Sequence, residues 1–282
     1  MAARATWKGV LQISRVRIPI KVFPATSESD KLSFNQLHSV CVTRLEQRRW
    51  CHACSREIPT SEIVKGYEFS TGKYVLLLPE ELDAIAPPST RVIDLTRFAD
   101  ASALQPYSIE RSYYLAPDGP PANEAFAVLR IAMRHRVGIG KLAIYGREYL
   151  VAVGPTLVPA SATPQVVLML HTLHHAAELR SAEAIDELQT GTQAPVDQVT
   201  LAQQVIAALM GPLDLGNFTD QYQTDLGRLI EAKITGHEFV VPVLEEAPVL
   251  TLRAALEQSL AVMSASKKIS AKGTTPRKRR AS

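Results

Sequence analysis

All three cysteines of this 282-residue chain lie in one segment, LHSVCVTRLEQRRWCHACSREIP, residues 37–59. His38-x2-Cys41 and Cys51-x2-Cys54 are turns in which two side chains can converge on one metal ion. Joined by a short loop, they predict a closed, structural zinc site with the ligands His38, Cys41, Cys51 and Cys54. His52 is an alternative to His38, although it lies inside the second turn. Three free thiols are the other interpretation.

Basic side chains are unevenly distributed. Residues 1–60 carry ten basic and four acidic side chains, residues 151–263 carry four and thirteen, and residues 264–282 carry seven and none. Such asymmetry indicates contact with a polyanion, and a solvated surface is the plainer interpretation. Cations on one concave surface would bind phosphates rather than bases, whatever the sequence. The candidates are Arg44, Arg48, Arg49, Lys65, Lys73, Arg130, Arg134, Arg136 and Lys141.

A second candidate for chemistry is the stretch HTLHHAAEL. On a helix, His171, either His174 or His175, and Glu178 would share a face, as a metal-dependent nuclease would require. The preceding VVLML favours a strand, which would remove that geometry, so we interpret these histidines as ordinary core or surface residues. The chain shows no Ser-His-Asp signature and no phosphate-binding glycine loop. We therefore predict that it is not an enzyme and has no catalytic cofactor.

The first half of the chain has mostly strand patterns. GVLQISRVRIPIKVF alternates apolar and polar residues, and YEFSTGKYVLLL predicts a hairpin that turns at Thr71-Gly72. NEAFAVLRIAMRHR predicts a helix with Asn123 as its N-cap. Mostly consecutive strands with one helix predict a β-rich α+β fold built on a sheet or barrel.

The second half has helical patterns. PVDQVTLAQQVIAALMGPL and DQYQTDLGRLIEAKITG predict two amphipathic helices, whose apolar faces need either a partner subunit or the first half of the chain. EEAPVLTLRAALEQSLAVMSA predicts a third, which is a docking helix or a capping helix. KKISAKGTTPRKRRAS is too charged to fold alone. The predicted divisions are 1–190 with the knuckle at 38–54, then 191–238, 239–265 and a disordered tail at 266–282.

The compartment that we expect follows from two sequence features that this chain lacks. It has no apolar run of the ~18 residues that a membrane span needs, and its start has no apolar core of signal-peptide type. We expect a cytosolic protein without membrane contact, in which three cysteines would stay reduced.

Several blocks of the chain resemble, in order, those of bacterial Ku, the DNA-end-binding proteins of non-homologous end joining. These blocks are TWKGVLQISRVRIPIKVFPAT, IVKGYEFSTGKYVLLLPEELDAI, RSYYLAPDGPPANEAFAVLRIAM and RLIEAKITG. The likeness covers about residues 4–237. The cysteine segment resembles the variant of that family that keeps cysteines there, whereas other members lack them.

The resemblance implies a Ku-type β-barrel core with a bridge, followed by C-terminal helices and a basic tail. It implies a homodimeric ring that double-stranded DNA ends enter, in the bacterial cytoplasm at the nucleoid. The implied partner is an ATP-dependent DNA ligase, ligase D, recruited through Leu252, Leu256 and Leu260. The implied DNA contacts of the tail are Lys267, Lys268, Lys272, Arg277, Lys278, Arg279 and Arg280. The alternative is a zinc-containing nucleoid-associated or regulatory protein without end specificity.

Overall fold

The computed structural model describes residues 3–27, 32–86, 91–144, 147–158, 164–189, 191, 193–237 and 253–259. The chain divides into two compact units, Met1–Ser181 and Ala182–Ser282. Among the described residues, no helix has the length and apolar character needed to cross a membrane.

Strands dominate the first unit. They are β1 Trp7–Ile13, β2 Val16–Pro24, β3 Trp50–Cys51, β4 Arg56–Glu57, β5 Lys65–Ser70, β6 Lys73–Leu77, β7 Val92–Asp100, β8 Ile109–Pro117, β9 Arg136–Ile144, β10 Arg147–Val158 and β11 Gln165–Leu173. Seven of them close into a barrel in the order β1-β2-β8-β11-β10-β9-β7. Neighbours are antiparallel except β1 and β7, which pair in parallel with Val10 opposite Val92. The predicted β-rich fold with a barrel core is confirmed.

Alternate side chains of each barrel strand fill its interior. Leu11, Ile20 and Leu168 are fully buried, and Val151 and Val153 lie beside them in the same core. Because successive residues of a strand point to opposite faces, these positions fix which residues face inward along each strand. Fully burying one such side chain stabilises the fold by about 1.5–3 kcal/mol.

Two hairpins and a short helix interrupt the barrel strands between β2 and β7. The strands β3 and β4 form one hairpin, β5 and β6 form the other, and helix α1 spans Pro79–Ile85. The second hairpin turns at Gly72, whose φ of 73° suits glycine, so the predicted hairpin is confirmed. We call residues 65–77 the hairpin arm. Every residue of β5 is exposed.

Helix α2, Pro120–Ala132, packs on the barrel through Ala122 and Phe126. The prediction of Asn123 as its N-cap is wrong. The helix begins at the two prolines 120 and 121, directly after Gly119, whose φ of 89° makes the entry turn. Proline suits the first helical turn because its missing N–H has no partner there in any case.

The second unit is helical. It contains α3 Asp186–Gln189, α4 Val196–Leu209 and α5 Gln221–Thr235, and residues 253–259 are also helical. Asp220 caps α5 by accepting from the backbone N–H of Gln223, and Gly236 ends it with a positive φ. The two predicted helices are present, and their apolar side chains are half-buried or exposed, because neither α4 nor α5 has a buried residue. The predicted tail at 266–282, Leu252 and Leu260 lie outside the described residues.

Candidate nucleic-acid interface and knuckle segment

The first knuckle, residues 38–43, is a tight turn closed by the backbone. The N–H of His38 donates to the carbonyl of Thr43 at 2.9 Å, and the N–H of Val42 donates to the carbonyl of His38 at 2.8 Å. Val42, directly after Cys41, has a positive φ of 54°. This strained turn brings His38 Nδ1 to 3.1 Å from Cys41 Sγ.

The second knuckle, residues 51–56, repeats this design. Cys51 pairs with Arg56 across the β3–β4 hairpin, and Ser55, directly after Cys54, has a positive φ of 48°. Each knuckle therefore has a residue with left-handed backbone immediately after its second predicted ligand. Two non-glycine residues at equivalent strained positions indicate one turn type used twice.

Hydrogen bonds that involve the sulfur atoms shift the pKa values of the three thiols. The pKa of Cys41 lies below its usual value because the side chain and backbone of Thr43 bond its sulfur. The pKa of Cys51 is also lowered, first by the backbone N–H of Cys54 and then by the Cys54 side chain. The same side-chain interaction raises the pKa of Cys54, because its thiol acts as the donor. Knuckle N–H groups that bond sulfur stabilise thiolate, the form that binds metals.

The four predicted ligands are thus brought together as two pairs, one in each knuckle. Across the described ranges, no group of three or more His, Cys, Asp or Glu side chains is arranged to hold a metal ion. Three thiols and one imidazole are the donor set of structural zinc sites. Each knuckle brings two of these donors together, whereas the two pairs are not placed as one tetrahedral set.

The predicted DNA-binding cations fall into two classes, and five of them already have partners. Arg48 lies 3.4 Å from Glu57, Arg136 lies 2.5 Å from Asp100, and Lys141 lies 2.7 Å from Glu148. Arg130 donates to the carbonyl of Val166 at 3.2 Å, and Arg49 donates to the hydroxyl of Thr60 at 3.0 Å. The three exposed ion pairs contribute at most about 1 kcal/mol each, so a phosphate can displace them.

The other four predicted cations are exposed and have no side-chain partner among the described residues, and we call them the open cations. In the described part of the chain, no side-chain partner is present for Arg44, Lys65, Lys73 or Arg134, and all four are exposed. Arg44 follows the first knuckle, and the two lysines lie on the hairpin arm. Unpaired exposed cations can bind phosphate without first giving up a carboxylate partner.

The helical arrangement of HTLHHAAEL that a nuclease would require does not form, as the interpretation of these histidines as ordinary residues expects. Strand β11 runs through Leu173, and His171 Nδ1 lies 2.9 Å from the hydroxyl of Ser112 on β8. Burial lowers the pKa of His171, which favours its neutral form. Glu178 instead caps a short turn through the N–H of His175 and lies 3.7 Å from His174.

Sequence reasoning missed two cations at one end of the barrel. Arg111 on β8 and Arg147 on β10 line a cavity there. Both stand two residues before an inward-facing tyrosine, as R-x-Y. The alternation of side chains along each strand would have located both arginines, had it been known which residues face the barrel interior.

Comparison with known proteins agrees with this architecture. The family model of the Ku70/Ku80 β-barrel domain matches residues 12–201. The non-homologous end joining protein Ku of Archaeoglobus fulgidus is 36% identical over 259 residues, covering 90% of this chain and 98% of the relative. That of Heliobacterium modesticaldum is 31% identical over 291 residues and covers both chains completely. The chain belongs to the Ku family.

Proposed function

We propose that this protein binds the ends of double-stranded DNA in non-homologous end joining, without reading base sequence. The observation that carries the proposal is the match of the closed barrel to the Ku domain. The open cations on and beside the barrel and on the hairpin arm supply the phosphate contacts. Since phosphates are the same in every sequence, such contacts give affinity without base specificity. Its place is then with the chromosome in the bacterial cytoplasm.

The hairpin arm supports a ring of two subunits. An isolated two-stranded hairpin is marginal in water, yet this one exposes Tyr67, Phe69, Tyr74 and Leu76. The helices α4 and α5 expose further apolar side chains, among them Ile206 and Ile234. We assign these surfaces to contact with a second copy, which would close the ring around DNA. A ring needs no catalytic step, and it selects an end because only an end can enter.

The test compares linear duplex with a covalently closed circle of the same sequence. The protein should bind the linear form tightly and salt-sensitively, and excess circle should not compete. Equal affinity for both forms would favour a surface groove, as in a nucleoid-associated or regulatory protein. Incubation with divalent metal should leave the linear duplex intact, and its degradation would contradict a non-catalytic role.

We propose separately that the knuckles bind zinc, which would hold the segment that carries Arg44 in a fixed position. Purified protein should contain about one zinc per subunit, measured by elemental analysis. His38→Ala and Cys51→Ser should each abolish that content. The matched control is His52→Ala, which changes a histidine inside the second knuckle and should keep the metal. Zinc-free protein whose three thiols all react in the folded state would contradict the site.

Recruitment of an ATP-dependent DNA ligase of the ligase D type is assigned to residues 249–263. Within the described part of this segment, Leu256 is half-buried, and Arg253 pairs with Glu257 at 3.0 Å and lies 3.9 Å from Asp197 of α4. Leu256→Asp should reduce ligase capture on DNA ends by at least about ten-fold, the effect of removing one buried anchor. Exposed Gln258→Asp is the control. Unchanged capture by Leu256→Asp would move the docking site elsewhere.

The basic tail is assigned to DNA beside the ring, through the seven cations between Lys267 and Arg280. Such tails bind duplex non-specifically, and their contribution falls steeply with salt.

A further inference from the structure

The inner face of the barrel changes character at one end. Along most of its length the inward positions are aliphatic, as at Leu168 and Leu170 of β11. At one end they become Trp7, Arg111, Tyr113, Arg147, Tyr149 and Thr172, which line a cavity of about 960 Å³. We call these six residues the barrel mouth. We propose that the barrel mouth binds a nucleoside monophosphate unit, with the base among the aromatic rings and the phosphate on the two arginines.

Strand register places these side chains inside. On β8, Arg111 and Tyr113 share parity with buried Leu115. On β10, Arg147 and Tyr149 share parity with Val151, which is fully buried. Residues two apart on a strand lie on one face, so both arginines share the parity of the inward residues, each four residues before a buried aliphatic side chain. Both are exposed, which places them at the rim of the cavity.

Neighbouring strands agree with this placement. Thr172 of β11 lies opposite both Arg111 of β8 and Val151 of β10. Trp7 of β1 lies opposite Val22, a buried residue of β2. The six residues of the barrel mouth therefore come from four strands, and Val22 of β2 completes the lining between β1 and β8.

The barrel mouth carries net positive charge. Neither Arg111 nor Arg147 has a hydrogen-bond or carboxylate partner among the described residues. Glu110 also lines the cavity, on the opposite parity of β8, and it accepts from the hydroxyl of Thr172 at 3.2 Å. Two guanidinium groups against one carboxylate leave net positive charge, and guanidinium groups are well suited to bind a phosphate.

The aromatic lining selects the rest of the ligand. Trp7, Tyr113 and Tyr149 are all half-buried and pack against the barrel core. Aromatic rings beside arginines favour a flat base attached to a phosphate over phosphate alone. A cavity of about 960 Å³ lies within the range of about 300–1,000 Å³ usual for small-molecule sites. The ligand is either a free nucleotide or the unpaired terminal nucleotide of a DNA overhang.

Intrinsic fluorescence gives a direct assay. The chain has two tryptophans, so Trp50→Phe leaves Trp7 in the barrel mouth as the only reporter. This protein is titrated with adenosine monophosphate, with thymidine monophosphate, with inorganic phosphate and with a short 5′-phosphorylated single strand. Saturable change of Trp7 emission by the nucleotides, with phosphate alone much weaker, is the expected result.

Substitutions then locate the site. Arg111→Gln with Arg147→Gln should weaken nucleotide binding at least about ten-fold, as removal of charge-assisted hydrogen bonds implies. Arg17→Gln is the matched control, because Arg17 is exposed and on the opposite parity of β2 from buried Ile18. If the double variant fails to fold, as judged by its melting transition, Tyr149→Leu provides the same comparison.

The results of these titrations distinguish a DNA overhang from a free nucleotide as the ligand, and they also show whether the barrel mouth binds nucleotides at all. Tighter binding of the phosphorylated strand than of the free nucleotides assigns the site to DNA overhangs, and equal binding assigns it to a free nucleotide. No saturable change at millimolar nucleotide, equal binding of inorganic phosphate, or full affinity in the variants would each overturn the proposal. Because the assay uses no duplex end, its failure leaves the proposed end binding untouched.

Discussion

Replacing the four open cations with glutamine should weaken binding to linear duplex by at least about 10²-fold at 0.1 M salt. The residues are Arg44, Lys65, Lys73 and Arg134. Each phosphate that the variant no longer neutralises lowers the slope of log affinity against log salt by about 0.9, so the slope should flatten as well. Titration of labelled duplex at several salt concentrations measures both effects.

The control is a second fourfold glutamine variant of the same protein. Arg48, Arg136 and Lys141 are also exposed and Arg130 is half-buried, but each of these basic side chains already has a partner. Their fourfold glutamine variant removes equal charge and should reduce affinity less, because a phosphate must first displace those partners. A larger reduction in this control than in the open set would show that the interface lies elsewhere.

Leu168→Ala should destabilise the fold by about 2–5 kcal/mol, the range for truncating a leucine in a tight core. Leu168 is fully buried at 0% exposure on β11, opposite Leu115 of β8. The barrel cannot easily collapse around the cavity because both neighbours of β11 are fixed by hydrogen bonds. Denaturant unfolding of the two proteins gives the difference in free energy.

The matched control is Leu157→Ala on β10, where the leucine is 64% exposed. The chemical change is identical, and surface substitutions of this kind stay within about 0.5 kcal/mol. Equal destabilisation by both variants would contradict the inward register, and with it the placement of the barrel mouth.

Local patterns are sufficient to predict most of the barrel elements. The alternation in β2 and the Thr71-Gly72 turn depend on neighbours in sequence, and both predictions are confirmed. Closure of the barrel cannot be predicted from such local patterns. It depends on the parallel pairing of β1 with β7, whose partners Val10 and Val92 are far apart in the chain.

Two differences between the predicted and observed helices have local causes. The pattern places the start of α2 at Asn123, although Gly119 followed by two prolines already provides a turn and a first helical residue. Helix α1 is absent from the predicted elements, and it also begins with a proline, at position 79. In both cases the proline belongs to the first turn of a helix rather than to a loop.

The candidate site is predictable in kind but not in detail. The spacing predicts two turns that combine into one zinc site; the structure pairs His38 with Cys41 and Cys51 with Cys54, and the shared zinc site stays a prediction. Which cations are open cannot be read from sequence, because the partner of Arg136 is Asp100, on another strand. The arginines of the barrel mouth escape prediction for a similar reason, since their direction depends on register.

Trapping on a blocked duplex tests the ring most directly. The protein is loaded onto a linear duplex carrying biotin at both ends, streptavidin is then added, and the complex is challenged with high salt. A ring threaded on the DNA has no exit, so the complex should persist after blocking and dissociate without streptavidin. Equally fast dissociation from blocked and open duplex would contradict threading and would favour a groove on one face of the protein.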